Sequence, residues 1–303
     1  MKILALAFVL LPVGCSRPYD ASYDTHVSAP AYVGSSPRIL VDQGHHNRHT
    51  VSGTYKPFVE LLRSDGCSVK VLSGPITGAA LEGVQVLVIP SALGTDDQNR
   101  SPAFSRPEVE TIVKWVAAGG SLLLITDHFP FGDAVKNLAA PLGVQFSGGM
   151  TFDPVYHDAA ADDDSRIEFS RQNGLLASHP ITEGRAELER VTRVVTFTGQ
   201  AVRTSKGTPL LRLSRFAVNR AALPRVTRDG GDTRVEVTFG PPASAEGWAQ
   251  AVALEYGKGR AVVLGEAAMV TAQRDGGKPI GMNVPNTDNR QFLLNTIHWL
   301  TRL

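Results

Sequence analysis

The first half of the chain alternates short apolar runs with segments of helical periodicity. The apolar runs have the length of buried strands and lie at residues 39–41, 68–72, 84–89 and 121–126. Between them, apolar residues recur at helical spacing in two segments, 56–63 and 108–116. This β-α-β order predicts a parallel sheet with right-handed crossovers and helices on both faces.

The middle of the chain, from Val144 to about Gln250, has a different pattern. Acidic turns and Gly/Pro breaks separate short β-like runs at 190–197, 209–213, 234–239 and 250–256, and Asp229-Gly230-Gly231-Asp232 indicates a tight turn. After this region, the alternation of strands and helices resumes with a buried strand at 260–265 and a helix over the last 16 residues. We therefore expect one α/β domain, residues 38–303, with a three-layer, mostly parallel sheet and a β-rich insertion at about 144–250.

The amino terminus has the features of an export signal. Lys2 precedes an apolar stretch at 3–11, and Gly14-Cys15 follows. This pattern is typical of a bacterial signal peptide over residues 1–15 and resembles a lipobox, in which Cys15 becomes lipidated. The alternative is plain secretion with an unmodified Cys15. The apolar stretch is too short to span a membrane, which requires roughly 20 residues. We expect an envelope protein that is lipid-anchored or periplasmic.

Residues 16–37 are rich in Pro, Ser, Ala and Tyr without an apolar period, and we expect a flexible tether there. The other cysteine, Cys67, is expected to be a small buried residue rather than a nucleophile. The formal net charge of +1 and the lack of a basic, aromatic-interleaved stripe argue against a nucleic-acid partner.

Polar residues follow three of the predicted strands. The loop after the first strand contains Asp42, His45, His46, Asn47 and His49. Later strands end at Asp127-His128 and at Glu266, and the loops at Ser91 and His157 can join them at one sheet edge, which is where open α/β sheets bind ligands.

Two interpretations of this cluster remain open. Asp42, His45, Asp127, His128 and Glu266 are candidate acid-base groups, and His46, Asn47, His49, Ser91 and His157 are candidate ligand-binding residues. The alternative is structural: each residue caps a turn or bonds to its own loop. His179 and His298 are expected at loop or surface positions.

The cofactor stays undetermined. Asp42, His45 and His128 are candidate ligands of a divalent metal, but their spacing matches no established metal motif. The sequence also contains no Gly-x-Ser-x-Gly elbow, phosphate-binding loop or dinucleotide fingerprint.

The run from Trp115 through Gly119-Gly120 to Leu124 resembles the helix-Gly-Gly-strand unit of the class I glutamine amidotransferase-like superfamily, including its ThuA-like branch. The resemblance implies a flavodoxin-like sheet. Where amidotransferases have a nucleophilic Cys after this strand, the chain has Thr126-Asp127-His128, so the resemblance implies no glutamine hydrolysis. His128 matches a His that is frequent in the ThuA-like branch. The Asp42-x-x-His45-x-Asn47 motif and the final helix are similar to uncharacterised bacterial envelope members of the superfamily.

Two functions are compatible with these features. The first is a hydrolase, dependent on a metal or on acid-base groups, that acts on a small or carbohydrate ligand. The second is a non-catalytic ligand-binding or assembly module of the envelope. One fold hosts many functions, so the site has to decide between them.

Overall fold

The computed structural model describes residues 19–94, 102–161, 163–229 and 232–303. The first half of the domain follows the predicted alternation of strands and helices: β1 (Arg38–Asp42), α1 (Lys56–Ser64), β2 (Ser68–Leu72), β3 (Val86–Pro90), α2 (Arg106–Ala118), β4 (Ser121–Ile125) and α3 (Phe131–Ala139).

The second half is rich in strands and ends in a helix. Its elements are β5 (Val144–Phe146), β6 (Gly149–Phe152), β7 (Glu168–Ser170), α4 (Pro180–Glu183), β8 (Arg193–Val195), β9 (Val202–Thr204), β10 (Gly207–Arg212), β11 (Val218–Asp229), β12 (Asp232–Ser244), β13 (Ala249–Tyr256), β14 (Gly259–Leu264), β15 (Ala272–Asp275), β16 (Lys278–Gly281) and α5 (Asn289–Thr301).

The central sheet has nine strands, of which five neighbours are parallel in the order β2-β1-β3-β4-β14. Antiparallel β13 continues the sheet and leads to β10, β9 and β5. The parallel part has the flavodoxin-like strand order, in which the order reverses between β1 and β3. The predicted fold class, a mostly parallel α/β sheet with additional β-strands, is confirmed.

The parallel strands form where the sequence is apolar on both faces. Every residue of β3 and β4 is buried, and two apolar clusters pack on opposite sides of the sheet. Helix α2 begins with a capping box, in which the Glu108 carboxylate accepts hydrogen bonds from the Ser105 backbone N–H (2.9 Å) and hydroxyl (2.6 Å). This box fixes the point at which α2 begins.

The β-rich region contains a long hairpin. Strands β11 and β12 pair antiparallel up to Asp229 and Asp232, and β6 pairs with the base of β11. The described pairing thus reaches the residues on both sides of the predicted tight turn, whose central residues, Gly230 and Gly231, lie outside the described residues.

The flexible tether predicted for residues 16–37 is wrong for the described part, 19–37. Asp20 accepts hydrogen bonds from Arg274 (2.8 Å) and Asn283 (3.1 Å). Tyr32 is buried, and its hydroxyl is 2.6 Å from the Thr301 hydroxyl. The segment lacks a helical or strand period because it packs as an irregular strap, using single aromatic and polar anchors.

Of the two cysteines, Cys67 lies among the described residues and Cys15 does not. Cys15 and the rest of the expected signal peptide lie outside the described residues. Cys67 is buried and unpaired, as expected for a small core residue, and burial raises the pKa of its thiol to about 12. Among the described residues, no helix combines the length and apolar character that a membrane span needs.

Candidate functional site

The loop after β1 is built on a buried chain of charged groups. The Asp42 carboxylate is fully buried, and its Oδ1 lies 2.8 Å from His45 Nδ1. The other ring nitrogen, Nε2, lies 2.9 Å from Glu108 Oε1 at the start of α2. Phe104 packs against the imidazole, with ring centroids 4.5 Å apart. His45 therefore ties the loop after β1 to the amino terminus of α2.

The partners of His45 determine its protonation. Ionised carboxylates only accept hydrogen bonds, so an imidazole placed between two of them must donate from both nitrogens and is charged. Burial opposes this charge, but the hydrogen bonds and charges of Asp42 and Glu108 outweigh it and raise the pKa of His45. Burial also opposes ionisation of Glu108, but donors from Ser105, Ile76 and His45 lower its pKa to about 2.

The remaining loop residues divide into buried supports and an exposed turn. Asn47 donates to Asp42 Oδ2 over 3.0 Å. His46 has a positive φ of 48° and is exposed. His49 is buried, stacks on Tyr55 at 4.6 Å and lies 2.6 Å from the Thr54 hydroxyl. Burial, with the charge of Arg48, lowers the pKa of His49 to about 3, so this imidazole is neutral at physiological pH.

A second cluster lies where β4 and its parallel neighbour β14 end. Asp127 follows β4 and is half-buried, and Glu266 follows β14 and is fully buried. Burial raises the pKa of both carboxyls, and the negative charge of Asp127 raises that of Glu266 further. The pair therefore keeps a proton at a pH at which ordinary carboxyls have lost theirs.

Glu266 also supports its own loop. Its two carboxyl oxygens accept the backbone N–H groups of Ala268 (2.6 Å) and Met269 (2.8 Å). The Tyr55 hydroxyl donates to the Ala267 carbonyl at 3.0 Å, which links this loop to the start of α1. Glu266 thus caps its turn, as the structural alternative from the sequence expected, and its carboxyl also has a raised pKa. Asp127 is the more exposed member of the pair.

His128, next to Asp127, has a defined tautomer when neutral. Its Nδ1 lies 2.7 Å from the Phe129 carbonyl oxygen, which can only accept, so Nδ1 carries the hydrogen. The neutral ring then offers Nε2 as an acceptor. His128 is half-buried, and its own backbone N–H donates to Asp127 Oδ1 at 2.7 Å. Asp127 and His128 thus supply an acid and a base on one loop.

Ser91 and His157 are the remaining predicted binding residues. Ser91 directly follows β3 and has a positive φ of 45°, and its buried hydroxyl has no hydrogen-bond partner within the described part of the chain. A side chain in this backbone region is strained, which is most frequent at functional sites. His157 forms an isolated bridge with Ile167 in the β-rich region.

A small cleft lies next to Phe129, the residue that follows His128. It encloses about 190 Å³ and is lined by the loops after β3 and β4, by α3 and by the long hairpin through Leu93, Phe129, Pro130, Asp133, Ala134, Lys136 and Pro224. Its volume is below the roughly 300–1,000 Å³ of typical ligand pockets, so it suits a small ligand or one end of a larger one. A larger cavity of about 290 Å³, lined by Trp115 and Arg302 among others, lies at the opposite, amino edge of the sheet, away from the acid-base groups.

The predicted metal ligands do not fit a metal. Both nitrogens of His45 are engaged by carboxylates, which leaves this ring no free nitrogen for a metal. Among the residues with described positions, no group of three or more His, Cys, Asp or Glu side chains is arranged to hold an ion. The hypothesis of a metal held by Asp42, His45 and His128 therefore conflicts with the two hydrogen bonds of the His45 ring, whereas Nε2 of His128 stays available as a ligand.

Two residues that support the site were missed from the sequence, and a third residue, His298 at the opposite edge of the sheet, was misplaced. Glu108 matches a capping box, but nothing in its spacing indicates the contact with His45. Gln200 donates through Nε2 to the Asp127 carbonyl and accepts the Gly148 N–H at 3.2 Å, which positions the loop after β4. His298, expected at the surface, is buried and lies 2.7 Å from Asp65.

Comparison with known proteins places the fold but not the function. No family model and no curated protein matches the sequence. The structure is similar to the mmIFT52 N-terminal domain, with a TM-score of 0.60 and 14% identity over 87% of this chain and 97% of that one.

Two further solved structures are similar at lower scores. A protein described as ThuA-like, from Bacteroides uniformis, has a TM-score of 0.46 and 13% identity over 89% of this chain and 94% of that one. A protein described as a GMP synthase subunit, from Thermoplasma acidophilum, has a TM-score of 0.45 and 12% identity over 89% and 96%. At these identities the comparisons concern the fold alone.

Proposed function

We propose that the chain is an exported, lipid-anchored envelope protein whose amidotransferase-like domain hydrolyses a small or carbohydrate ligand by acid-base catalysis. One observation carries the proposal: Asp127 and Glu266 end neighbouring parallel strands, and both have a raised pKa. Carboxyls with raised pKa values at the ligand-binding edge of an α/β sheet are typical of general acids.

The proposed roles follow from the geometry of the two loops. His128 Nε2 takes the proton of a water molecule as the water oxygen bonds to the electrophilic carbon of the ligand. The Asp127 carboxyl, in the molecules in which it holds the proton of the pair, gives this proton to the leaving group as the old bond breaks. Glu266 acts as a positioning residue, because its buried carboxyl holds the loop after β14 and helps to retain the proton on the pair. Asp42, His45 and Glu108 hold the neighbouring loop rigid.

Variants of the two acid-base residues test the proposal. We would screen the mature protein against p-nitrophenyl esters and glycosides, then compare Asp127→Asn and His128→Asn with the exposed Glu110→Gln on α2. His128→Asn keeps a donor for the Phe129 carbonyl but removes the base. Loss of either group should lower kcat by about 10²-fold or more, without a change in thermal stability. Equal activity in all variants on any substrate that is turned over would refute the assigned roles.

A second candidate is the non-catalytic binding module. It is supported by the charged chain of Asp42, His45 and Glu108, because His45 is fully occupied and is unsuited to act as a base. Under this alternative, oligosaccharides would bind and none of the nitrophenyl substrates would be hydrolysed. Isothermal titration with cell-wall oligosaccharides, together with the substrate screen, separates the two functions.

A further inference from the structure

The strap formed by residues 19–32 starts at the edge of the sheet that carries the candidate site. Tyr19 forms a backbone bridge with Gln273 of β15, and its hydroxyl accepts a hydrogen bond from Lys56 Nζ at 2.9 Å. Lys56 begins α1, directly after the loop that follows β1, and β15 follows the loop that contains Glu266. Tyr19 therefore lies at the carboxyl edge of the parallel strands.

The strap then runs to the opposite edge. The Ala31 N–H donates to Asp65 Oδ1 at 2.8 Å, beyond the carboxyl end of α1. Tyr32 contacts Thr301 at the carboxyl end of α5 and packs edge-on against His298. These anchors fix the direction of the strap, so its first described residue, Tyr19, lies at the carboxyl edge and Tyr32 lies at the opposite edge.

The distance from the fixed point to the expected anchor is short. Three residues, 16–18, separate Cys15 from Tyr19. A chain of this length spans at most about 14 Å between the two Cα atoms. A lipid on Cys15 therefore enters a bilayer close to Tyr19. Because the domain is larger than the span from Cys15 to Tyr19, it has little room to rotate relative to the membrane.

We propose that the phospholipid bilayer lies against the carboxyl edge of the sheet, at the β15–β16 hairpin and the start of α1. This inference rests on the proposed lipid anchoring at Cys15. Arg274 and Lys278 are exposed on the hairpin, and Lys56 lies beside Tyr19, so cationic groups are present where headgroup phosphates would be. Arg274 is paired with Asp20, and for this reason we assign the orientation mainly to the short connection rather than to charge.

This orientation narrows the ligands of the candidate site. Asp127 and Glu266 end strands at the same edge, so the acid-base loops would face the membrane or the thin layer of solvent above it. The ligands expected there are molecules attached to the membrane surface, such as the headgroup or glycan part of a lipid, rather than solutes of the bulk periplasm.

Lysine footprinting on vesicles tests the orientation. The chain from Cys15 onward is coupled through the Cys15 thiol to a maleimide phospholipid in phosphatidylcholine vesicles. Cys67 is buried and has a raised pKa, so it does not compete. Acetylation by a membrane-impermeant ester is then compared between bound and free protein. We expect Lys278 to react about fivefold or more slowly on the vesicle because the bilayer excludes the reagent, whereas Lys258, at the amino edge, stays within about twofold.

Equal protection of Lys278 and Lys258, or stronger protection of Lys258, would overturn the inference. As a control, about 20 Gly/Ser residues inserted after Ser16 should abolish the difference, because such a linker reaches roughly 25 Å. Protection that persists with this linker would overturn the role of the short connection. Mass spectrometry of Cys15 in native protein, with Cys15→Ala as reference, tests the anchoring separately. An unmodified Cys15 would refute the anchoring. The vesicle experiment would then test only how the domain lies on a bilayer when it is attached through Cys15.

Discussion

Replacing Glu108 by Gln tests whether the charged chain through His45 supports the site. The Glu108 carboxylate accepts hydrogen bonds from the Ser105 N–H and hydroxyl and the Ile76 N–H, and it contacts His45 Nε2 at 2.9 Å. An amide keeps one acceptor oxygen but turns an N–H₂ group towards some of these donors. It also removes the charge that balances the His45 imidazolium.

The pKa of Glu108 sets the size of the effect. A shift from the ordinary value of 4.5 to about 2 corresponds to at most about 3 kcal/mol of stability. Because the side chain is 12% exposed and solvent screens part of its interactions, we expect a loss of about 2 kcal/mol in the free energy of unfolding at pH 6. Glu110→Gln on the same helix, where the carboxylate pairs with an exposed Arg106, should cost less than about 0.5 kcal/mol.

Urea denaturation followed by circular dichroism measures this difference, and its pH dependence adds a second check. The Glu108 contribution, from a lowered pKa, is present above pH 4.5 and is lost as the pH falls towards 2. The His45 contribution, from a raised pKa, is full below 6.5 and is lost as the pH rises through its folded value. The gap between wild type and Glu108→Gln should therefore be widest near pH 5–6. A loss no larger than that of Glu110→Gln at every pH would refute the support role.

Three further outcomes are expected. Chelation by EDTA should leave the melting temperature unchanged because His45 is already bonded at both nitrogens, and stoichiometric metal whose removal lowers that temperature would contradict this. The raised pKa of Glu266 stabilises the folded wild type fully below pH 4.5, and this contribution is lost as the carboxyl ionises at higher pH. The free energy of unfolding should therefore fall less steeply above pH 4.5 in Glu266→Gln than in the wild type. Equal slopes of the two proteins in urea titrations would count against this. Asp65→Asn should weaken the hydrogen bonds that the Asp65 carboxylate makes with Ala31 and His298, and so loosen the strap. Chymotrypsin should then cleave faster near Tyr32. Unchanged cleavage would argue that the other anchors suffice.

Local pattern was sufficient to predict the parallel part of the fold. Strands β3 and β4 are covered on both faces and therefore read as continuous apolar runs, and the capping box at Ser105 and Glu108 forms as its spacing indicates. The strap was mispredicted because its packing depends on single anchors such as Tyr32, which carry no periodic signal. His298 was placed at the surface for a similar reason: its burial is set by Asp65, 233 residues earlier in the chain.

The sequence was sufficient to predict where the candidate site lies in the fold, but not which role each of its residues has. The loops after β1, β4 and β14 were expected at one edge, and strand order places them there. The sequence could not assign His45, because its partner Glu108 lies 63 residues away and comes close only through the packing of α2. Nor could it separate Asp127 from Glu266, because burial and the nearby charge determine their pKa values and both depend on tertiary structure.

The most direct test of the acid-base proposal is a carboxyl titration of the mature protein by NMR with ¹³C-labelled Asp and Glu, using Asp127→Asn and Glu266→Gln to assign the signals. Both carboxyls should titrate above their ordinary pKa values, and the raised pKa of Glu266 should fall when Asp127 is replaced by Asn. Two carboxyls that titrate independently in the ordinary range of Asp and Glu, about 4, would contradict it.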